Sequence, residues 1–148
     1  MSAEPSKAVV DAWIALNRAQ QTAMLAIERA FRDAGLPPYA WYDALWELDR
    51  AGDKGLRPGQ IEQQVLIAQS NISRLIDRLE ENGHVERRRH EDDGRGQIVV
   101  ITRAGRALRK RMWPVYAAAI TKAVGIHVSE REAATLAGLL SKLIPPKA

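Results

Sequence analysis

Positions 70–78 carry side chains suited to reading a nucleic acid: Ser70, Asn71, Ser73, Arg74 and Arg78. These types are short or fork-shaped, and they match the donors and acceptors of base edges and phosphates. Their spacing matters as much as their type. Ile72, Leu75, Ile76 and Leu79 are interleaved with them at i, i+3, i+4 and i+7, the apolar stripe of one helix face. The polar residues therefore belong to the opposite, outward face. Another use is open to some of them. Ser70 and Asn71 are also helix-capping types, and Arg74 has Asp77 three positions on as an ion-pair partner.

A helix needs a stop, and Asn82-Gly83 supplies one, because glycine permits the left-handed conformation that closes a helix. Val85–Arg89 and Gln97–Thr102 then read as two strands, with His90–Gly96 as the loop between them. Charge is concentrated here. Residues 86–111 hold nine Lys or Arg against four acids, a net of +5 on a chain whose total is +4. A basic strip on an otherwise near-neutral protein is the electrostatic footprint of a polyanion site. Arg87, Arg88 and Arg89 alternate along a strand, so they cannot all face one partner; Arg88 has Glu86 and Asp92 within pairing distance in sequence.

The remaining elements must position this segment. A helical pattern runs from about Lys7 to Ala34, ended by Gly35 and Pro37-Pro38. A second covers Tyr39–Ala51, closed by the turn at 52–55. Pro58 opens a short helix over 58–65, residues 66–69 make a turn, and the helix of the opening paragraph spans about 69–82. Thr102 reads as the N-cap of a helix over 103–125, with Pro114 expected to kink it by removing one backbone bond. Ser129 caps a last helix over 130–143. The expected fold is mainly α with a small β-ribbon.

Composition narrows the function. The chain has 148 residues, 46% of them apolar, which suits one folded domain. No apolar run approaches the roughly 18 residues of a membrane span, and the N-terminus lacks the basic-then-apolar order of a signal peptide, so a cytoplasmic location is expected. There is no cysteine, which excludes disulfides and thiolate metal sites. The three histidines are scattered. His90 with Glu91, Asp92 and Asp93 reads as a solvated loop, so no metal, cofactor or enzymatic activity is expected.

Taken together, RLIDRLEENGHVERR at 74–88, DDGRG at 92–96 and VVITRAG at 99–105 resemble the multiple-antibiotic-resistance regulator (MarR) family of transcription factors, and the resemblance extends over nearly the whole chain. It implies a winged helix-turn-helix with N- and C-terminal dimerisation helices. The single domain over 1–148 would divide into a DNA-binding lobe at about 36–102 and dimerisation helices at about 5–34 and 103–144. The sequence departs from the family pattern at Glu62, where alanine is common, at Leu66, where glycine is usual in the turn, and at Ala68, where a serine commonly caps the next helix.

The resemblance implies a dimeric transcriptional regulator, a repressor, that reads double-stranded DNA. Ser70, Asn71, Ser73 and Arg74 would enter the major groove, with Arg74 on guanine and Asn71 on adenine. Arg78 would sit near phosphate, and Arg88 is a further DNA-binding candidate. Arg95 at the wing tip would enter the minor groove, oriented by Asp93. Two-fold symmetry would match a pseudo-palindrome with half-sites about one turn, roughly 34 Å, apart. Val9, Val10, Trp13, Leu136, Leu139, Leu140, Leu143 and Ile144 make the terminal helices more apolar than a monomer would leave exposed, although packing within one chain would use them too. In the family a small aromatic or phenolic ligand weakens DNA binding; Arg18, Tyr39, Trp41, Tyr42, Trp113 and Tyr116 are the candidates here, with Arg50 and His127 as further counter-charges and a purely core role as the other reading. The alternative function is a winged-helix protein-interaction module that does not read DNA.

Overall fold

Glycine and proline set the helix breaks. In the computed structural model, which describes residues 3–89 and 96–146, α1 (Lys7–Asp33) ends before Gly35, whose φ is 69°. α2 (Tyr39–Ala51) starts after Pro38 and ends on Gly52, where a 3-10 turn, Gly52–Lys54, follows. Then come α3 (Pro58–Gln64), α4 (Ile72–Glu81), β1 (Val85–Arg89), β2 (Gln97–Ile101), α5 (Arg103–Ile120) and α6 (Glu130–Ser141). The architecture is mainly helical with one small antiparallel ribbon, the winged helix-turn-helix arrangement.

Two compact units divide the chain: Phe31–Val115, and the residues up to Ala30 with those from Tyr116 on. In the first, the apolar stripes close on a common core. Leu45 and Leu48 of α2, Ile61 of α3, Ile76 and Leu79 of α4 and Val99 of β2 are completely buried. The ribbon pairs Val85 with Ile101 and Arg87 with Val99. A short third edge is added by Leu56, which exchanges both backbone bonds with Val99 at 3.0 and 2.8 Å. Gly55 makes that approach possible. Its φ of 68° and ψ of −175° lie in a region essentially reserved for glycine, and a Cβ there would come within 2.6 Å of the Val99 carbonyl.

The second unit is built differently. Ser129 caps α6 through a reciprocal pair: its hydroxyl accepts from the Glu132 N–H at 3.1 Å, and its own N–H donates to Glu132 at 3.0 Å. Yet α6 has no buried residue. Among the described residues of this unit only Ile27 and Ala119 are buried, while Trp13, Leu25, Ile126, Leu143 and Ile144 are all more than 60% exposed.

Several boundaries differ from the sequence reading. α4 begins at Ile72 rather than 69, because the Asn71 side chain accepts the Arg74 N–H at 3.0 Å and fixes the first turn there. α3 stops at Gln64 and α6 at Ser141. α5 continues through Pro114 to Ile120, and its last turn, Thr121–Gly125, widens to a π-helix. Thr102 does cap α5: its hydroxyl accepts from the Gly105 N–H at 3.1 Å and donates to the Gly83 carbonyl at 2.6 Å.

Candidate nucleic-acid interface

The angle between α3 and α4 rests on a residue in α2. Asp43 is 2% exposed. Its two carboxylate oxygens accept the backbone N–H groups of Leu66 and Ile67, each at 3.0 Å. These donors lie in the turn, beyond the end of α3, where no helical carbonyl reaches them. Burial pushes the Asp43 carboxyl above the ordinary range, and the two bonds bring it back only in part. The turn also explains two departures from the family pattern. No non-glycine among the described residues has positive φ, so Leu66 needs no glycine conformation, and its side chain simply remains exposed. Asn71 caps α4 in place of the serine expected at 68. Glu62 lies on the exposed side of α3.

Beyond the turn, α4 presents the face that its sequence pattern implies. Leu75, Ile76 and Leu79 are buried and Ile72 half-buried, while Ser70, Asn71, Ser73, Arg74, Asp77 and Arg78 are exposed. Ser70 and Asn71 precede the helix rather than belong to it. Asn71 spends one oxygen lone pair on capping and keeps its amide N–H groups for other partners. Arg74 and Arg78 make no ion pair with any described residue, and Asp77, three positions after Arg74, is bonded by Arg87.

The basic strip does not form one continuous face. Arg87 bonds Asp77 at 2.6 Å and Glu80 at 2.7 Å. Arg88 pairs with Glu86 at 3.2 Å across one strand repeat, as one of its two sequence neighbours allowed. Arg106 and Arg109 converge on Asp49 at 3.3 and 2.5 Å, and the Arg109 guanidinium lies 5.3 Å from the Trp46 ring centre. Among the described residues, four of these cations thus serve internal ion pairs. Asp93 and Arg95, with His90, Glu91 and Asp92, lie outside the described residues. Among the described residues no cluster of three or more metal-ligand side chains occurs, and no helix is long and apolar enough to cross a membrane.

The ligand candidates separate. Tyr39 and Tyr42 are core residues, each 3% exposed. Tyr39 stacks on Phe31 at 6.2 Å, and Tyr42 on Trp113 and Trp46 at 6.4 Å each. Trp41 and His84 pack in a T-shaped arrangement, with ring centres 5.8 Å apart. Burial, then the charge of Arg111, hold the His84 imidazole below its ordinary value, partly offset by the Ala104 backbone. Arg18 and Tyr116 belong to the other unit. There Arg18 lines a cavity of about 530 Å³ with Thr22, Ala23, Lys122, Val124 and His127. Lys122 was not visible as a candidate in the sequence; the π-turn brings it there.

Residues 34–96, which hold Asp43, the turn and α4, match the family model described as MarR family. Through this lobe, the chain is similar to the MarR family. Similar solved structures include a MarR family transcriptional regulator from Streptomyces coelicolor in complex with DNA. It is 24% identical with a TM-score of 0.83, over 97% of this chain and 89% of that one. A MarR family transcriptional regulator from Silicibacter pomeroyi is 20% identical with a TM-score of 0.78, over 96% and 97%. A mutant MarR from E. coli, complexed with operator DNA, is 19% identical with a TM-score of 0.79, over 97% and 100%. Among curated proteins, no sequence matches this chain.

Replacing Asp43 by Ala leaves two donors in the turn without their partner. Each such donor costs about 1–3 kcal/mol, offset by release of a buried carboxylate. The expected loss is about 2–3 kcal/mol in urea unfolding, with Asp43→Asn losing roughly half as much because it keeps one acceptor. A D43A protein as stable as wild type would show that the turn does not depend on this carboxylate.

Proposed function

We propose that the protein is a dimeric transcriptional regulator, a repressor, that binds a pseudo-palindromic duplex. The observation that carries this reading is the exposed face of α4, where Arg74 and Arg78 have no ion-pair partner among the described residues. Two relatives of the same fold have been solved with DNA, which supports it. Arg74 forks onto a guanine, Ser70, Asn71 and Ser73 meet neighbouring edges, and Arg78 meets phosphate. Arg88, already paired with Glu86, contributes at most a shared contact. Arg95 and Asp93 are assigned to the minor groove on the family resemblance alone. Bound over an operator, such a dimer blocks transcription by occupying the site.

Dimerisation is supported by the unit that carries α6. Two buried apolar residues cannot hold a unit of this size against its conformational entropy, and its exposed apolar side chains need a cover. A second copy of the same chain is the economical one. Light scattering at micromolar concentration should give twice the 16.5 kDa chain mass; a value at the chain mass would contradict the dimer.

DNA binding is tested by mobility shift at two salt concentrations, on the DNA flanking the gene. Each neutralised phosphate adds about 0.9 to the slope of log affinity against log salt. Arg74→Ala should cost about 1–3 kcal/mol and relax preference at one base position. A salt-independent or absent shift, with wild-type folding intact, would favour a winged helix that binds proteins instead.

Control by a small aromatic acid is a finer reading of the same protein. It is supported by the cavity around Arg18, where alanines and Val124 offer an apolar floor and Arg18, Lys122 and His127 offer positive charge. An effector acts only through a difference in affinity between free and DNA-bound dimers. Benzoate should quench tryptophan fluorescence and release DNA, and Arg18→Ala should abolish both effects. Release that survives in R18A would place the effector elsewhere.

A further inference from the structure

α4 is short of positive charge for the surface that the proposed function gives it. Its ten residues hold Arg74 and Arg78 against Asp77, Glu80 and Glu81, a net charge of −1. Carboxylates on a face turned toward phosphates repel them, and over distances of roughly 8 Å salt screens that repulsion only partly.

The next strand supplies the missing charge. Arg87 in β1 donates through Nη2 to Asp77 Oδ1 at 2.6 Å and through Nη1 to Glu80 Oε1 at 2.7 Å. Its backbone N–H lies 3.3 Å from Glu80 Oε2. Strand alternation turns Arg87 away from the side shared by Glu86 and Arg88, which pair with each other. The Arg87 side chain is 23% exposed, whereas Asp77 is 54% and Glu80 42% exposed. The guanidinium thus sits beneath the two carboxylates, with less of its surface open to a partner than either acid has. Asp77 is the acid that Arg74 would otherwise reach within the helix, so the same bond leaves Arg74 unpaired.

We propose that Arg87 is a positioning residue for DNA binding: it cancels the charges of Asp77 and Glu80, keeps Asp77 from Arg74, and ties α4 to β1 without touching the duplex. This rests on the DNA-binding reading above.

The test uses a duplex enriched from a random-sequence library by the wild-type protein, with affinity read by fluorescence anisotropy over a range of salt and folding by circular dichroism. Failure of the wild type to enrich or bind any duplex counts against DNA binding itself. Given wild-type binding, Arg87→Gln should weaken affinity about tenfold near 0.1 M salt while leaving the salt slope unchanged. Adding Asp77→Asn and Glu80→Gln to that variant should restore affinity to within about threefold of wild type, since the charges to be cancelled are gone. A triple variant that binds no better than R87Q, or an R87Q slope reduced by about 0.9, would make Arg87 a direct phosphate contact and overturn the proposal. The double variant D77N/E80Q with Arg87 retained should bind at least as tightly as wild type. This arm does not depend on R87Q folding, and weaker binding there would overturn the proposal too.

Discussion

Two backbone N–H groups between α3 and α4 have no helical carbonyl to bond, and the buried carboxylate of Asp43 takes both. Much of what the lobe can do depends on that contact. The turn decides where α4 points, and α4 carries the side chains suited to base edges. A carboxylate buried at 2% exposure is costly to hold. It is tolerated because it accepts two donors that would themselves be costly to leave unpaired. A buried acid in α2 is thus the anchor of a turn more than 20 residues away in sequence.

Around this anchor, electrostatics divides the work among cations that composition alone lumps together. Arg106 and Arg109 hold Asp49, linking α5 to α2. Arg87 holds Asp77 and Glu80, linking β1 to α4. Partly exposed ion pairs of this kind contribute only about 0–1 kcal/mol each to folding. Their larger effect is on which charges remain available. With Asp77 engaged by Arg87, the guanidinium of Arg74 has no ion-pair partner among the described residues. The two units also contrast in how they are held. The lobe has a core of completely buried side chains from four helices and the ribbon. The unit with α6 leaves its large apolar residues exposed.

Much of this was legible in the sequence, because it follows from periodicity and capping. The stripe Ile72, Leu75, Ile76 and Leu79 gave α4 its buried face, Gly83 its stop, and Thr102 and Ser129 their caps. The start of α4 was read three residues early, since Ser70 and Asn71 fit both the helix face and the cap; only the Asn71–Arg74 bond decides. Asp43 carried no signal at all. It occurs in YAWYDALWELDRA as one acid among three, and nothing local shows that its partners lie at 66 and 67. The pairing of Arg87 was hidden for the same reason, as alternation says which strand residues share a side but not which acids face them. Tyr39 and Tyr42 were ambiguous between pocket and core, and their stacking on Phe31 and Trp113 makes them core.

The most direct test is dimethyl sulfate footprinting of guanine N7 on a duplex bound by the wild-type protein. If α4 lies in the major groove with Arg74 on a guanine, N7 atoms in two segments about one helical turn apart should be protected, and Arg74→Ala should remove one protected guanine from each. Binding that leaves every guanine N7 reactive, with the same pattern in wild type and R74A, would contradict the account.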